Sequence, residues 1–135
     1  MGQAHNRSID RFRSYSYTQI GGITPALKVT RLAEWFNVRT AWHGPGNTSP
    51  VGHAGNAHTD LAIWNFGIQE QSNFKEETLE VFPGTPTIEN GYMHVNEAPG
   101  FGININEELA AKYPLDSEPW YRPIVRRPYG TVVRP

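Results

Sequence analysis

Residues 40–60, TAWHGPGNTSPVGHAGNAHTD, carry three histidines, His43, His53 and His58, around a Gly44-Pro45-Gly46 turn. Imidazole gains and loses a proton near neutral pH and is also a common metal ligand. Spacing separates these uses. His53 and His58 are five apart, which places them about 140° apart around a helix, so they do not converge on one ion. Packing or surface roles follow for both. His5 and His94 have no ligand pattern beside them. His43 differs. It directly follows the short strand VRTAW and is framed by glycines that let a ligand approach the backbone. It is a candidate to donate or accept a proton or a hydrogen bond. Glu70, closing NFGIQE, is the second candidate and could accept hydrogen bonds from substrate hydroxyls. Together they suit a small, hydroxyl-rich substrate, anionic or neutral. A polar residue at a strand end can also simply begin a loop, so the elements around them decide.

Those elements alternate. Tyr15–Ile20, YSYTQI, has the composition of a strand. Gly21-Gly22 turns, and Thr24-Pro25 reads as a helix cap with proline at the first position. Ala26, Val29, Leu32, Ala33 and Phe36 recur at helical spacing, with Asn37 as a C-cap. Val38–Trp42 is a short strand. Ser49-Pro50 repeats the cap-plus-proline signal and opens a small-residue helix with Ala54, Ala57 and Leu61 on one face. Gly52 and Gly55 allow close approach there. Asn65–Glu70 is a third strand. Strand, helix, strand, helix, strand predicts right-handed parallel βαβ units, whose ligands bind beyond the C-terminal strand ends. Those ends hold Gln19, His43 and Glu70.

Beyond Glu70, FKEETLEVF (74–82) is a short helix or irregular, its carboxylates a solvated face. TPTIENGYMHVNE reads as a hairpin turning at Asn90-Gly91. Asn106 caps a short helix that Pro114 ends, and Leu115–Pro135 reads as an extended, proline- and arginine-rich tail. Other motifs fall away. Gly44-Pro45-Gly46-Asn47 lacks the Lys-Ser/Thr of a phosphate loop and the spacing of a dinucleotide fingerprint. Asn47-Thr48-Ser49 is a glycosylation sequon without a secretion signal to support it. No carboxylates cluster at three strand ends to hold Mg²⁺, so no metal ligand is assigned.

The 135 residues carry a net charge of −1, which gives no reason to expect nucleic acid or an anionic membrane as partner. No apolar run is long enough to span a bilayer. Cysteine is absent, which excludes disulfides and thiolate metal sites and is compatible with a reducing cytoplasm, the expected location.

IGGITPALKVTRLAEWFNVRTAWHGPGNTSPVGHAGNAHTDLAIWNFGIQE resembles the C-terminal part of the enolase superfamily, specifically the D-mannonate dehydratase-like acid-sugar dehydratases with the starvation-sensing proteins. The likeness runs from about Gln19 to the C-terminus. It implies a modified (β/α)₇β barrel with an α+β cap, and removal of water from mannonate or gluconate with Mg²⁺ bound to the substrate carboxylate. It makes His43 a substrate contact at the end of the seventh strand and Glu70 one at the end of the eighth, the positions the strand-end rule selects. Asn47 stands where the family has aspartate, which keeps hydrogen-bonding shape and loses charge. An arginine expected on the sixth strand aligns at Ser14 beside Arg13 and is not carried over. The ending TVVRP lacks the aromatic residue with which many mannonate dehydratases close, and is nearer to relatives with weak or different dehydratase activity.

A barrel of this kind needs at least about 200 residues. The expected fold is therefore α/β: a partial barrel of the last three strands (15–73) after a loose lead-in (1–14), with a hairpin, short helix and extended tail (74–135) packing on barrel and cap. The expected function is a fragment of a Mg²⁺-dependent acid-sugar dehydratase that supplies substrate contacts (His43, Asn47, Glu70, with His43 a possible catalytic group) and is inactive alone. No Mg²⁺ is expected on this chain alone. The expected partners are the sugar acid and an upstream barrel fragment or a second copy. A non-catalytic binding or assembly module and the remnant of a truncated gene are the alternatives.

Overall fold

The computed structural model describes residues 12–15, 17–114 and 128–129. Its centre is a three-stranded parallel sheet in the order β1-β2-β3: β1 Phe12–Tyr15, β2 Arg39–Trp42 and β3 Phe66–Gln69. Helix α2 (Ile23–Trp35) connects β1 to β2 and α3 (Pro50–Leu61) connects β2 to β3, so the predicted strand–helix alternation is present.

The first strand lies earlier than its composition suggests. Tyr17–Ile20 is one helical turn, α1, closed by the Gly22 N–H on the Tyr17 carbonyl at 3.1 Å. Gln19 therefore sits exposed on α1, and β1 ends at Tyr15. Packing overrides β-propensity here. The Tyr17 ring is buried edge-on against Trp42, centroids 6.1 Å apart at 87°. It also packs against Gly55, where a Cβ would come 2.7 Å from Tyr17 Cε1. Only glycine lets α3 approach α1 this closely.

Helix α2 starts one turn-fraction before the expected cap. Gly22 is the N-cap, without a side-chain bond, and Pro25 falls inside the first turn, where no intrahelical N–H is required of it. The helix ends in a Schellman motif. Asn37, at φ 51°, donates to the Glu34 carbonyl and Val38 to that of Ala33, each at 3.0 Å. Its inner face is Ala26, Thr30 and Ala33, while Leu32 and Phe36, expected inside, are exposed. Leu61 of α3 is likewise exposed although Ala54 and Ala57 are buried. The fully buried large side chains are Trp42, His53, Asn56, Thr30 and Thr40, an unusually polar set for a core.

Ser49 caps α3 as its sequence predicts, its hydroxyl accepting the Gly52 N–H at 3.4 Å with Pro50 at the first position. Ser49→Ala is expected to cost about 1 kcal/mol or less, given the long bond, read as a small fall in the urea midpoint.

The remaining residues form helix α4 (Glu76–Val81), the antiparallel hairpin β4 Thr87–Glu89 with β5 Tyr92–His94, and helix α5 (Glu107–Ala110). Asn90 and Gly91 turn the hairpin with φ of 51° and 82°, as a type I′ turn requires. Asn106 caps α5 through the Leu109 N–H at 3.0 Å. His58 ties α3 to this region, stacked on Phe101 at 5.6 Å and donating from Nε2 to its carbonyl at 3.3 Å. His5, Ser14 as a side chain, and all of the tail except residues 128–129 lie outside the described residues.

Candidate active site at two adjacent strand ends

Parallel pairing places Trp42 of β2 beside Gln69 of β3. The next residue on each strand is His43 and Glu70, so the two fall side by side. This alignment depends on an irregularity. Thr40 pairs with Phe66 but Ala41 pairs with Ile68, so β3 spends one extra residue, Gly67, against β2. A regular ladder would set Trp42 opposite Ile68 and leave Glu70 one residue beyond His43. The bulge is what brings Glu70 level.

His43 Nδ1 and Glu70 Oε2 are hydrogen-bonded. The same carboxylate oxygen accepts the Gly44 backbone N–H at 3.1 Å. Both side chains remain about half exposed, 49% and 54%. The Gly44 N–H, then the hydrogen bond and charge of His43, with a smaller contribution from His53, hold the Glu70 carboxyl below the usual glutamate range. An ionised carboxylate on Nδ1 fixes that nitrogen as the donor and orients the ring, so Nε2 is the atom that meets a ligand.

The loop carrying His43 is anchored from beneath. Ser72 donates to the Gly44 carbonyl at 2.8 Å. His53, fully buried, lies with Nε2 3.3 Å from the Pro45 carbonyl and Nδ1 2.7 Å from Gln71 Oε1. Phe74 stands edge-on to its ring at 4.9 Å. Of the residues selected from sequence, His43 and Glu70 meet. Asn47 sits exposed in the same loop, and Gln19 is on α1. Sequence patterns do not mark Gly44, Gln71 or Ser72 as part of this arrangement. Their backbone or amide roles leave no chemical signature in sequence, although the isolated glycine in NFGIQE is a recognised sign of a bulge.

Among the described residues, no group of three or more His, Asp or Glu side chains is placed to hold a metal ion. A hard dication such as Mg²⁺ needs near-octahedral oxygen ligation, and Glu70, already bonded to His43 and Gly44, does not supply it here. Among the same residues, no helix is long and apolar enough to cross a membrane.

Residues 10–109 match the family model described as enolase C-terminal domain-like. A D-galactonate dehydratase family member of Enterococcus gallinarum is 46% identical over 135 residues, covering 99% of this chain and 33% of that protein. A member from Musicola paradisiaca is 51% identical over 130 residues, covering 96% and 31%. A crystal structure of an enolase from Pantoea ananatis, with bound D-gluconate and Mg, superposes with a TM-score of 0.78 at 48% identity, covering 92% of this chain and 30% of that one. The chain thus spans about a third of the length of the curated relatives it matches.

Proposed function

The chain belongs to the enolase C-terminal domain-like family, and we propose that it is the sugar-acid-contacting part of a Mg²⁺-dependent acid-sugar dehydratase barrel. The observation that carries this reading is the His43–Glu70 pair, presented on adjacent parallel strand ends and half open to solvent. Glu70, kept ionised, accepts hydrogen bonds from substrate hydroxyls. His43 Nε2 donates to, or accepts from, a neighbouring hydroxyl. Asn47, on the same loop, adds an uncharged contact. No step of a dehydration is assigned to the described residues, and the proposal expects no turnover from this chain alone.

The test has two arms. Titration of the chain with D-gluconate, D-galactonate or D-mannonate is expected to move the His43 ring resonances, and Glu70→Gln to abolish the response. Incubation of each with Mg²⁺ is expected to give no dehydrated product. Turnover by the chain alone, or a His43 indifferent to all three sugar acids, would overturn the reading.

A second reading, an assembly module, is favoured by the apolar surface. Trp35 is 86% exposed and Trp64 93%, with Phe36 and Leu61 also open. Large exposed apolar side chains of this kind favour association. Light scattering is expected to give a mass above 15.2 kDa. A sharp monomer at tens of micromolar would count against it.

A further inference from the structure

The sequence gives His53 no role beyond packing or surface, and its contacts say more. It is fully buried, one turn into α3, directly under the loop that carries His43. Its two ring nitrogens reach in different directions. Nε2 meets the carbonyl of Pro45, two residues past His43. Nδ1 meets the side chain of Gln71, the residue after Glu70. The ring edge also packs under Gly44, where a Cβ would lie 2.9 Å from His53 Cε1. One imidazole thus touches the segment following each member of the pair.

We propose that His53 is a positioning residue that clamps the two strand ends together, fixing the distance between His43, the Gly44 N–H and Glu70. A planar ring whose two nitrogens flank Cε1 joins the Pro45 carbonyl to the Gln71 side chain with less freedom than a flexible amide would have. It sits in a buried polar environment, where each hydrogen bond holds its partner firmly. It touches neither candidate side chain's reacting atoms, so its effect is exerted through the loop. Glu70 reports that geometry. The groups acting on its carboxylate are first the Gly44 N–H, then His43 and, more weakly, His53. If the clamp loosens, that N–H retreats and the Glu70 midpoint rises toward the ordinary glutamate value. The claim concerns the pair's geometry and stands apart from which ligand the pair meets. Reading Glu70 without any sugar acid keeps the failure of one claim distinct from failure of the other.

The experiment is a carboxyl ¹³C NMR titration of the full chain and four variants. His53→Ala and Gln71→Ala are each expected to shift the Glu70 midpoint upward, and His53→Gln, which keeps a donor for Pro45, to recover part of the shift. Phe74→Leu removes the ring packed on His53 while leaving both hydrogen bonds, so it is expected to lower thermal stability without moving Glu70. Should His53→Ala not fold, Gln71→Ala decides, since Gln71 is only partly buried. An unmoved Glu70 midpoint in Gln71→Ala, or an equal movement in Phe74→Leu, would overturn the proposal.

Discussion

Asp60→Asn is expected to flatten the dependence of stability on pH and to stabilise the chain at pH 8. Asp60 lies on α3, facing the space between that helix, β3 and the hairpin. Both carboxyl oxygens are buried without a well-formed hydrogen bond. Burial pushes the group up to about 8, and the indole of Trp42 offsets only part of that. An unfolded chain ionises the same residue near 3.8. Between these values the folded state keeps a proton that the unfolded state has released. Stability is therefore whole below pH 4 as far as this group is concerned, and falls as pH rises toward 8, with a limiting slope of about 1.4 kcal/mol per pH unit. Glu70, with its lowered midpoint, acts in the opposite sense but only in the acid range. Urea midpoints at pH 5, 6.5 and 8 are expected to decline in the wild type and hold level in Asp60→Asn, with a gain of about 2 kcal/mol or more at pH 8. Parallel profiles for the two proteins would show that Asp60 is not the group responsible.

What could be read from sequence follows the range of the interaction. The Ser49-Pro50 cap, the Asn90-Gly91 turn and the Asn106 cap are settled within a few residues, and each forms as its local chemistry dictates. The parallel order of three strands is also legible, because the alternation of strand and helix leaves few topologies. The helical turn at 17–20, where composition predicts a strand, has a long-range cause. Tyr17 becomes helical because it docks on Trp42 and Gly55, which its neighbours in sequence do not foretell. The helical period of Leu32, Phe36 and Leu61 predicts burial, yet the buried face of α2 is only Ala26, Thr30 and Ala33, and all three larger residues are exposed. The strand-end rule for parallel sheets selects His43 and Glu70 as candidates. Their direct contact was not legible, since it requires the one-residue shift at Gly67. Gly44, Gln71 and Ser72 act through a backbone N–H, an amide and a hydroxyl, and no residue type marks those uses.

Gly44→Ala is expected to do more damage than any other single methyl in the His43 loop. The Gly44 backbone passes so near β3 that an added Cβ would enter the carbonyl oxygen of Glu70 and stand 2.9 Å from both the Glu70 carbonyl carbon and His53 Cε1. Two of these obstacles are backbone and the third is a buried ring held at both nitrogens, so none can rotate aside. The strand ends must part, at a cost of about 3 kcal/mol, the upper end for forced overpacking. The parting also draws the Gly44 N–H from Glu70, so the carboxyl midpoint rises and the paired imidazole loses its fixed orientation. Gly46→Ala is the control in the same turn. Its nearest neighbour would be Ser72 Oγ at 3.7 Å, ordinary contact, and its backbone is not in the left-handed region. It is expected to be neutral or to stabilise by up to about 1 kcal/mol through the unfolded chain. Urea midpoints and the Glu70 titration should separate the two variants clearly. Equal tolerance of alanine at 44 and 46 would mean that the strand ends are not held at the separation on which the His43–Glu70 pair depends.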